Sequence, residues 1–363
     1  MKIAFFTNHI NEIGGVERVI CNLSNYFCDV YNYDVDVISF FPCERETPAF
    51  KFNDKVKLIY CNYKDENCNK ITLHTKRIKK VRELFENKDY DYIISTNPFF
   101  NIYILKNDKY INSKVIACEH GKYDSIKNFW RKLTKYFYKR AYKTVFLSNE
   151  EVKLFKENSN LKNVISIPNG IEIDNDFKED IKREKEIISV GRYCEEKAFH
   201  KLIDIFYKLS KRNSHWTLKI VGDGELKADI SKMVKDYGLE DRVKLVPFDT
   251  NIKKYYKRAS IFAMSSISEG FPMVLLEAMA EGLPCIAFNI KDCFEDMIKN
   301  NENGFLIEPF NEEKYVESLE KIINDENKLK EFSLNAKKNV EKYSLGNIAG
   351  IWKNLFEDKI GGV

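Results

Sequence analysis

The sequence has no apolar run near the roughly 18 residues that a membrane-spanning helix needs. Its first residues, MKIAFFTNHI, carry one lysine and turn polar after a short apolar run, so we expect a first strand there and not a signal peptide. Glycine and proline are scarce, at 15 and 8 residues, which excludes a collagen-like or low-complexity chain. With 44% hydrophobic and 31% charged residues, the 363-residue chain has the composition of a globular protein.

Paired cysteines are missing as well. The nine cysteines stand singly, and no CxxC motif occurs. We therefore expect a reducing compartment, no disulfide framework and no zinc site. The net charge is only +4 but unevenly placed: residues 1–170 carry 28 Lys and Arg against 20 Asp and Glu, while the rest carries 31 against 35. The two halves are expected to face different surroundings.

Two series of short apolar segments run along the chain, each segment separated from the next by a helical pattern. The first series includes KIAFFT (2–7) and DVDVISF (34–40), and the second includes IISVG (187–191) and LKIVGDG (218–224). Strands that alternate with helices predict parallel sheets built from βαβ units. We therefore expect an α/β protein with two doubly wound domains facing a cleft. The predicted divisions are a domain at 1–170, a polar linker at 171–186, a domain at 187–340 and a C-terminal helix at 341–363.

The segment SISEGFPMVLLEAMAEGLP (266–284) follows a predicted strand and enters a predicted helix near Pro272. Proline suits the first turn of a helix because its missing N–H would have no acceptor there. Ligands of parallel sheets bind beyond the carboxyl ends of the strands, where this loop would lie. The unpaired N–H groups at such a helix N-terminus attract anions. We therefore predict an anion site at the N–H groups of Phe271, Met273 and Val274.

Two glutamates flank this predicted anion site. Glu269 precedes the helix, and Glu277 lies one to two turns inside it, at roughly 1.5 Å of rise per residue. Carboxylates accept hydrogen bonds from hydroxyl groups, so a pyrophosphate bound here would have room for a sugar on one side and a ribose on the other. The alternative is that both residues are surface acids of the kind that helix starts favour. Both interpretations are open at this point.

A second candidate lies in GRYCEEKAF (191–199), directly after a predicted strand. Arg192 can hold phosphate through its planar guanidinium, and Lys197 can do so through a mobile ammonium. The pair therefore suits a diphosphate leaving group. Two solvated cations in a lysine-rich chain are the alternative.

Further candidates end strands of the first half. His120, in EHG (119–121), would be able to touch a hydroxyl near a reacting carbon, or it is a structural histidine. Gly14 and Gly15 follow the first strand and either permit close approach of the backbone to a ligand or form a simple turn. The remaining histidines lack metal-ligand spacing and are predicted to be structural: His9, His74, His200 and His215.

Two DxD segments, at 34–36 and 89–91, have a form in which acidic residues often hold a divalent ion. Both precede or open predicted strands, which places them toward the amino ends of the sheet and away from the expected ligand edge. We therefore expect no metal. The segment VGDGE (221–225) reads as a strand followed by a tight turn and lacks a full dinucleotide fingerprint.

The segment IKNFWRKLTKYFYKRAYK (126–143) contains seven basic residues and no acid. On a helical wheel its apolar residues share one face, and every basic residue except Arg140 lies on the other. Such a helix suits an anionic membrane surface. The alternative is a helix packed on the sheet, with a merely compositional excess of lysine. Nucleic acid is disfavoured because no aromatic platform or recognition motif accompanies the basic face.

Taken together, several segments resemble the retaining glycosyltransferases of family 4, whose GT-B fold has two Rossmann-like domains. The likeness spans nearly the whole chain and is most specific in the E-x7-E pattern from Glu269 to Glu277. One departure is Ala198, where the family commonly has glycine after its lysine. The segments that carry the resemblance are GGVERV (14–19), EHG (119–121), IPNGIE (167–172), VGRYCEEKAF (190–199), VGDGE (221–225) and SEGFPMVLLEAMAEGLPCIAF (268–288).

The resemblance implies roles for residues that match the family's motifs. It implies that Arg192 and Lys197 bind the donor diphosphate, that Glu277 binds the ribose, and that Glu269 binds the donor sugar. It also implies that the C-terminal helix crosses back to the first domain. The remaining implied contacts are His120 beside the transferred sugar, Gly15 near the phosphate and acceptor, and the backbone of Gly270, Phe271, Pro272, Met273 and Val274 against the sugar and phosphate.

The expected function is that of a retaining enzyme that moves a hexose or N-acetylhexosamine from a UDP-sugar to a glycan. The resemblance and the basic helix favour a polyprenyl-diphosphate-linked acceptor in surface polysaccharide or oligosaccharide synthesis, reached from the cytoplasmic face of the membrane. No cofactor or metal is expected. Two alternatives are open: a nucleotide-sugar 2-epimerase, and a non-catalytic subunit that binds a UDP-sugar.

Overall fold

The computed structural model of the protein describes residues 1–121, 128–174, 183–290 and 293–359. The chain divides into two compact units. Unit 1 comprises Met1–Glu172 and Leu345–Val363, and unit 2 comprises Ile173–Ser344.

The strands of unit 1 are β1 (Lys2–Thr7), β2 (Asp34–Ser39), β3 (Lys57–Tyr60), β4 (Tyr92–Ser95), β5 (Lys114–Cys118), β6 (Lys143–Phe146) and β7 (Val164–Ser166). Those of unit 2 are β8 (Glu186–Val190), β9 (Thr217–Val221), β10 (Val243–Val246), β11 (Ile261–Met264), β12 (Cys285–Phe288) and β13 (Gly304–Ile307). All neighbouring strands pair in parallel, as the alternation of strands and helices predicted.

The helices follow the strands in alternation. The first five belong to unit 1: α1 (Gly15–Asp29), α2 (Lys70–Phe85), α3 (Pro98–Lys106), α4 (Asn128–Phe137) and α5 (Asn149–Ser159). Unit 2 contains α6 (Phe199–Arg212), α7 (Lys227–Asp236), α8 (Lys253–Tyr256), α9 (Met273–Ala280), α10 (Cys293–Met297), α11 (Glu312–Ile323) and α12 (Glu326–Val340). The chain then returns to unit 1 in α13 (Leu345–Phe356).

Each unit is a parallel sheet in a Rossmann-like arrangement. The strand order in unit 1 is β3-β2-β1-β4-β5-β6-β7, and in unit 2 it is β10-β9-β8-β11-β12-β13. In both sheets the order reverses once, between β1 and β4 and between β8 and β11. Such a reversal opens a crevice at the carboxyl ends of the two strands, where α/β proteins bind ligands. The candidate ligand-binding residues are therefore expected in the loops after these strands.

The polar stretch 171–186, expected to be a linker, differs from that expectation at its C-terminal end. The Arg183 side chain already donates hydrogen bonds to the carbonyls of Tyr256 and Ala259, at 3.0 and 2.8 Å. Glu186 is buried and begins β8. Charged residues suggested solvent here, but an arginine can satisfy several buried carbonyls at once, so its charge does not mark a linker.

The C-terminal division also differs from the predicted residue 341. Glu341–Tyr343 forms a single turn of 3-10 helix that belongs to unit 2, and the Tyr343 ring lies 6.2 Å from that of Phe271. The return to unit 1 occurs at Leu345, whose N–H donates to the Ile171 carbonyl at 2.7 Å. From there α13 packs on unit 1, where the Phe356 carbonyl accepts a 2.6 Å hydrogen bond from the Tyr92 hydroxyl.

Candidate active site

The reversal of strand order in unit 2 brings two predicted site segments to the same sheet edge. Arg192 and Lys197 follow β8, and Glu269 follows β11. The three residues are up to 77 positions apart in the chain, yet β8 and β11 are neighbours in the sheet. The candidate site of unit 2 is therefore built at the carboxyl ends of these two strands.

Lys197 and Glu269 are in direct contact. The Lys197 Nζ donates to Glu269 Oε1 at 2.6 Å, and the two side chains are only 20% and 11% exposed. Two further hydrogen bonds join the same loops: Ser265 Oγ donates to the Lys197 carbonyl at 2.9 Å, and the Ile267 N–H donates to the Glu196 carbonyl at 2.8 Å. Because the pair is mostly shielded from water, its attraction is screened less than that of a surface pair.

Ala198 holds the backbone in a left-handed conformation directly after Lys197. Its φ and ψ are 46° and 45°, and its side chain is fully buried. A residue with a Cβ pays about 1–2 kcal/mol in this region, whereas glycine adopts it freely. Ala198 therefore keeps the backbone conformation that glycine would adopt in the family, but at an energetic cost. The strained residue directly follows Lys197, a candidate ligand-binding residue.

The glycines of VGDGE allow the loops after β8 and β9 to touch. A Cβ on Gly222 would lie 1.8 Å from the Gly191 carbonyl oxygen, and one on Gly224 would lie 2.5 Å from the Tyr193 carbonyl oxygen. Gly191 in turn lies under the Lys197 chain, whose Cε would be 3.1 Å from an added Cβ. The sequence predicts a tight turn at this motif but gives no sign that the turn packs against the Lys197 loop.

Arg192 contrasts with Lys197 in its surroundings. Its guanidinium is exposed and forms no hydrogen bond or ion pair within the part of the chain that the structure describes. An unpaired arginine at a strand's carboxyl end can bind an incoming anion without first losing a protein partner.

Helix α9 begins where the sequence predicted, with Pro272 immediately before Met273. The prediction of three available N–H groups is wrong for Met273, whose N–H donates to the Phe271 carbonyl at 3.0 Å. The cause is the backbone of Pro272: its φ of −79° and ψ of 85° form an inverse γ-turn, which joins the residues on either side. Phe271 and Val274 stay as predicted donors to an anion.

Glu277 lies in the second turn of α9 and is partly buried. The Tyr256 hydroxyl donates to its Oε2 at 3.3 Å, and the tyrosine itself is 1% exposed. Sequence reasoning missed Tyr256, because no local pattern in KKYY indicates a contact with a carboxylate 21 residues later. The hydrogen bond fixes the direction of the Glu277 carboxylate.

His120 of unit 1 lies just beyond the carboxyl end of β5, with Glu119 between them. It borders a small, mostly apolar pocket, lined in part by Val19 and Ile20 of α1 and by Trp352 of α13. Burial lowers the pKa of His120 to about 4, so the imidazole is neutral at pH 7 and offers one N–H donor and one acceptor. Gly15 is the exposed first residue of α1, at the carboxyl edge of the same sheet.

Comparison with known proteins bears on both units. The family profile "Glycosyltransferase Family 4" matches residues 13–175, and "Glycosyl transferases group 1" matches residues 172–339. An uncharacterized glycosyltransferase of Haemophilus influenzae is 31% identical over 356 residues, covering 98% of this chain and 99% of the relative. The protein is a family 4 glycosyltransferase of the GT-B type.

Two further comparisons place this glycosyltransferase among others. A Campylobacter jejuni α-1,4-N-acetyl-D-galactosaminyltransferase, named for an acceptor on diphospho-undecaprenol, is 26% identical, over 99% of both chains. The crystal structure of a Staphylococcus aureus TarM mutant with UDP superimposes with a TM-score of 0.81 at 18% identity, covering 98% of this chain and 99% of that one. The superposition on TarM shows that the two proteins share a fold.

The DxD segments of the glycosyltransferase lie at the amino ends of their strands, as predicted. Asp36 is buried near the start of β2 and accepts a hydrogen bond from the Tyr90 hydroxyl. Asp91 directly precedes β4 and accepts from the Lys2 N–H at 2.7 Å. Both acids therefore have structural partners. Among the described residues, no three His, Cys, Asp or Glu side chains converge as a metal site would require.

The basic segment of the glycosyltransferase is shorter as a helix than the predicted 126–143. Helix α4 ends at Phe137, a 3-10 turn follows at Tyr138–Arg140, and Lys143 already begins β6. Residues 126 and 127 lie outside the described residues. Helical periodicity carried the prediction too far because Ala141 continues the apolar stripe although its backbone is already extended.

The apolar face of α4 divides between core and solvent. Trp130, Leu133 and Phe137 pack against the core of unit 1, whereas Phe129 and Tyr136 are 67% and 58% exposed. The interpretation as a helix packed on the sheet is therefore correct for half of this face. No helix among the described residues has the length and apolar composition needed to cross a bilayer.

Proposed function

We propose that the protein is a retaining hexosyl- or N-acetylhexosaminyltransferase that uses a UDP-sugar. The observation that carries the proposal is the contact of Lys197 with Glu269 at the β8–β11 edge, beside the start of α9. This arrangement offers a cation for the diphosphate and a carboxylate for sugar hydroxyls within one site. Glu277, held by Tyr256, supplies a second carboxylate for the ribose.

The proposed site binds the donor in three parts. The diphosphate contacts Arg192, Lys197 and the N-terminus of α9, where the helix dipole favours negative charge. The ribose hydroxyls donate to Glu277, and the hydroxyls of the transferred sugar donate to Glu269. Gly15 in unit 1 leaves room near the phosphate, and the neutral His120 hydrogen-bonds a sugar hydroxyl.

Departure of UDP is the step that the charges of the site assist. As the bond from the anomeric carbon to the phosphate oxygen breaks, negative charge grows on the diphosphate, which Arg192 and Lys197 stabilise. The acceptor hydroxyl forms the new bond from the face that the diphosphate leaves, and its proton passes to a phosphate oxygen of the donor. Because attack and departure share one face, the anomeric configuration is retained.

We propose that the reaction needs no cofactor and no metal. Support comes from the DxD segments, which lie at the amino ends of β2 and β4 and in which Asp36 and Asp91 have structural partners, and from the two cations proposed to contact the diphosphate. For the base of the nucleotide, the TarM structure with UDP supports uracil.

We further propose a lipid-linked glycan as acceptor, in the synthesis of a surface polysaccharide or oligosaccharide at the cytoplasmic face of the membrane. The printed name of the Campylobacter jejuni relative, with its diphospho-undecaprenol acceptor, supports this choice. A lipid-linked acceptor requires the enzyme to work at a membrane surface, so unit 1 should carry a surface that suits anionic lipid.

The surface proposed to contact the membrane, the α4 surface, is the outer side of α4 together with the 3-10 turn Tyr138–Arg140 that follows it. Lys132, Lys135 and Lys139 line one groove, and none of them is paired with an acid of the described residues. Phe129 stands at the N-terminal end of the helix with most of its ring in solvent. Unpaired lysines beside an exposed aromatic ring match the charge and polarity of an anionic bilayer interface.

The experiment that tests this function is product analysis in EDTA. The protein is incubated with UDP-glucose, UDP-galactose and their N-acetylated counterparts, each with a polyprenyl-diphosphate-linked glycan. We expect one UDP released per α-linked sugar added, since the donors are α-linked. A β-linked product contradicts retention, an epimerised UDP-sugar without transfer indicates the epimerase, and UDP binding without turnover indicates a non-catalytic subunit.

A further inference from the structure

Glu119 is a buried carboxyl group that the proposed donor site does not use. It directly precedes His120, and only 2% of its surface is exposed. Its N–H donates to the Val145 carbonyl at 2.9 Å, which extends the pairing of β5 with β6 by one residue. The backbone before His120 is therefore fixed by its pairing in the sheet and by the contacts of the Glu119 side chain.

Two buried side chains hold the Glu119 carboxyl group. The Tyr138 hydroxyl donates to Glu119 Oε1. Asn101 Nδ2 lies 3.4 Å from the same oxygen, 3.0 Å from the Tyr138 hydroxyl and 3.1 Å from the Cys118 carbonyl. Asn101 and Tyr138 are both fully buried. The three side chains and the Cys118 carbonyl form one closed network.

The network joins three elements at the carboxyl end of β5. Asn101 belongs to α3, Tyr138 opens the 3-10 turn after α4, and Glu119 follows β5. Side chains alternate along an extended chain: Cys118 and His120 border the pocket beneath α1 and α13, and Glu119 faces the opposite side. Fixing Glu119 therefore fixes the direction in which His120 leaves the strand.

Burial of this carboxyl group works against stability. Burial raises the pKa of Glu119 to about 7, although the hydrogen bonds from Tyr138 and Asn101 act in the other direction. Glu151 of α5, another carboxyl group, raises the pKa of Glu119 further. No described lysine or arginine forms an ion pair with Glu119. An apolar side chain of similar size would avoid this desolvation, so stability alone does not account for the glutamate.

We propose that Glu119 and Tyr138 are positioning residues that set the orientation of His120 for transfer. The proposal rests on the proposed function insofar as His120 contacts the transferred sugar. Tyr138 also links this network to α4: it directly follows that helix, and its hydroxyl donates to Glu119, so a shift of α4 reaches the residue before His120 through a single hydrogen bond.

The test compares Tyr138→Phe with Tyr103→Phe, which removes a buried hydroxyl of the same unit that bonds His74 instead. We expect Tyr138→Phe and Glu119→Leu to lower kcat at least tenfold while the KM for the UDP-sugar changes less than twofold. Glu119→Gln keeps an acceptor for Tyr138 and should retain kcat within about twofold. Equal losses in Tyr138→Phe and Tyr103→Phe would overturn the proposal.

A second readout does not need transfer, so it separates this proposal from the proposed function. The Cε1–H resonance of His120, assigned by its loss in His120→Gln, should shift in Tyr138→Phe and stay in place in Tyr103→Phe and Glu119→Gln. If the wild type transfers no sugar but the resonance behaves this way, the proposed function fails and the positioning stands. An unmoved resonance in folded Tyr138→Phe and Glu119→Leu refutes the positioning.

Discussion

At the scale of single residues, the candidate donor site of unit 2 combines an exposed arginine with a lysine–glutamate pair that is mostly shielded from water. Arg192, Lys197 and Glu269 could be chosen because their types suit a diphosphate and a sugar and because they follow strands. That Lys197 contacts Glu269 could not be predicted, since 72 positions separate them and only the pairing of β8 with β11 brings them together. The γ-turn at Pro272 was equally hidden, because proline permits a helix start and a γ-turn alike.

The steric demand on Gly222 gives a prediction at this scale. Gly222→Ala places a methyl group against the Gly191 carbonyl, so we expect the free energy of unfolding to fall by about 1–3 kcal/mol. Gly350 lies inside α13, and a Cβ added there would have open space around it. Gly350→Ala should therefore raise the free energy of unfolding by about 0.5–1 kcal/mol. Urea unfolding of both variants checks the pair. A neutral Gly222→Ala would show that the two loops do not touch.

Glu119 and His120 give a prediction for pH. Burial raises the pKa of Glu119 to about 7 and lowers that of His120 to about 4. Between about pH 4.5 and 6.5 the unfolded chain holds an ionised Glu119 and a protonated His120, whereas the folded chain holds both neutral. The two states then bind equal numbers of protons at this pair, and its contributions to the pH dependence cancel.

Removing one partner exposes the contribution of the other. Relative to the wild type, the free energy of unfolding of Glu119→Gln should rise between pH 5 and 6.5, because the removed group favoured the fold at low pH. That of His120→Gln should fall over the same range. Each slope is on the order of 1 kcal/mol per pH unit at most. Urea unfolding at pH 5.0, 5.75 and 6.5 measures both, and two variants that run parallel to the wild type would contradict the pKa shifts.

At the scale of elements, periodicity predicted whether a segment is a helix or a strand better than it predicted where that element ends. Helix α9 begins where Pro272 indicated, because proline is a local signal. Helix α4 is shorter than its apolar stripe, because Ala141 still fits the stripe after the chain has left the helix. The exposure of Phe129 beside the partly buried Trp130 depends on how α4 packs on α3, which the helical wheel does not contain.

The lysine groove of α4 carries the prediction for membrane binding. Replacing Lys132, Lys135 and Lys139 together by glutamate should weaken binding to vesicles containing phosphatidylglycerol at least tenfold, since each lysine near an anionic surface contributes about 1 kcal/mol. The matched control replaces Lys227, Lys232 and Lys235 of α7, which changes net charge equally in unit 2. Co-sedimentation at fixed salt measures both. Equal losses would mean that net charge, and not the α4 surface, governs binding.

At the scale of the whole molecule, alternating strands and helices predicted two Rossmann-like units, and the family resemblance implied the return of the chain in its last helix. The divisions themselves differ, since unit 2 runs from Ile173 to Ser344. The polar, charged composition of residues 171–186 predicted the region between the units but not where that region ends. The reason is that Arg183, although charged, already donates hydrogen bonds to carbonyls of unit 2. Strand order, and hence the crevice that gathers the candidate residues, follows from packing that no single segment encodes.

The central claim is that unit 2 binds UDP through the β8–β11 edge and Glu277. Calorimetry of UDP, GDP and ADP in EDTA tests it most directly, with Glu277→Ala as the variant and Glu317→Ala, on the exposed face of α11, as the control. We predict that UDP binds best without metal and that only Glu277→Ala weakens it, by about 1.5–3 kcal/mol for a lost charged hydrogen-bond partner. Failure of every nucleotide to bind, or binding that requires a divalent ion and ignores Glu277, would contradict the account.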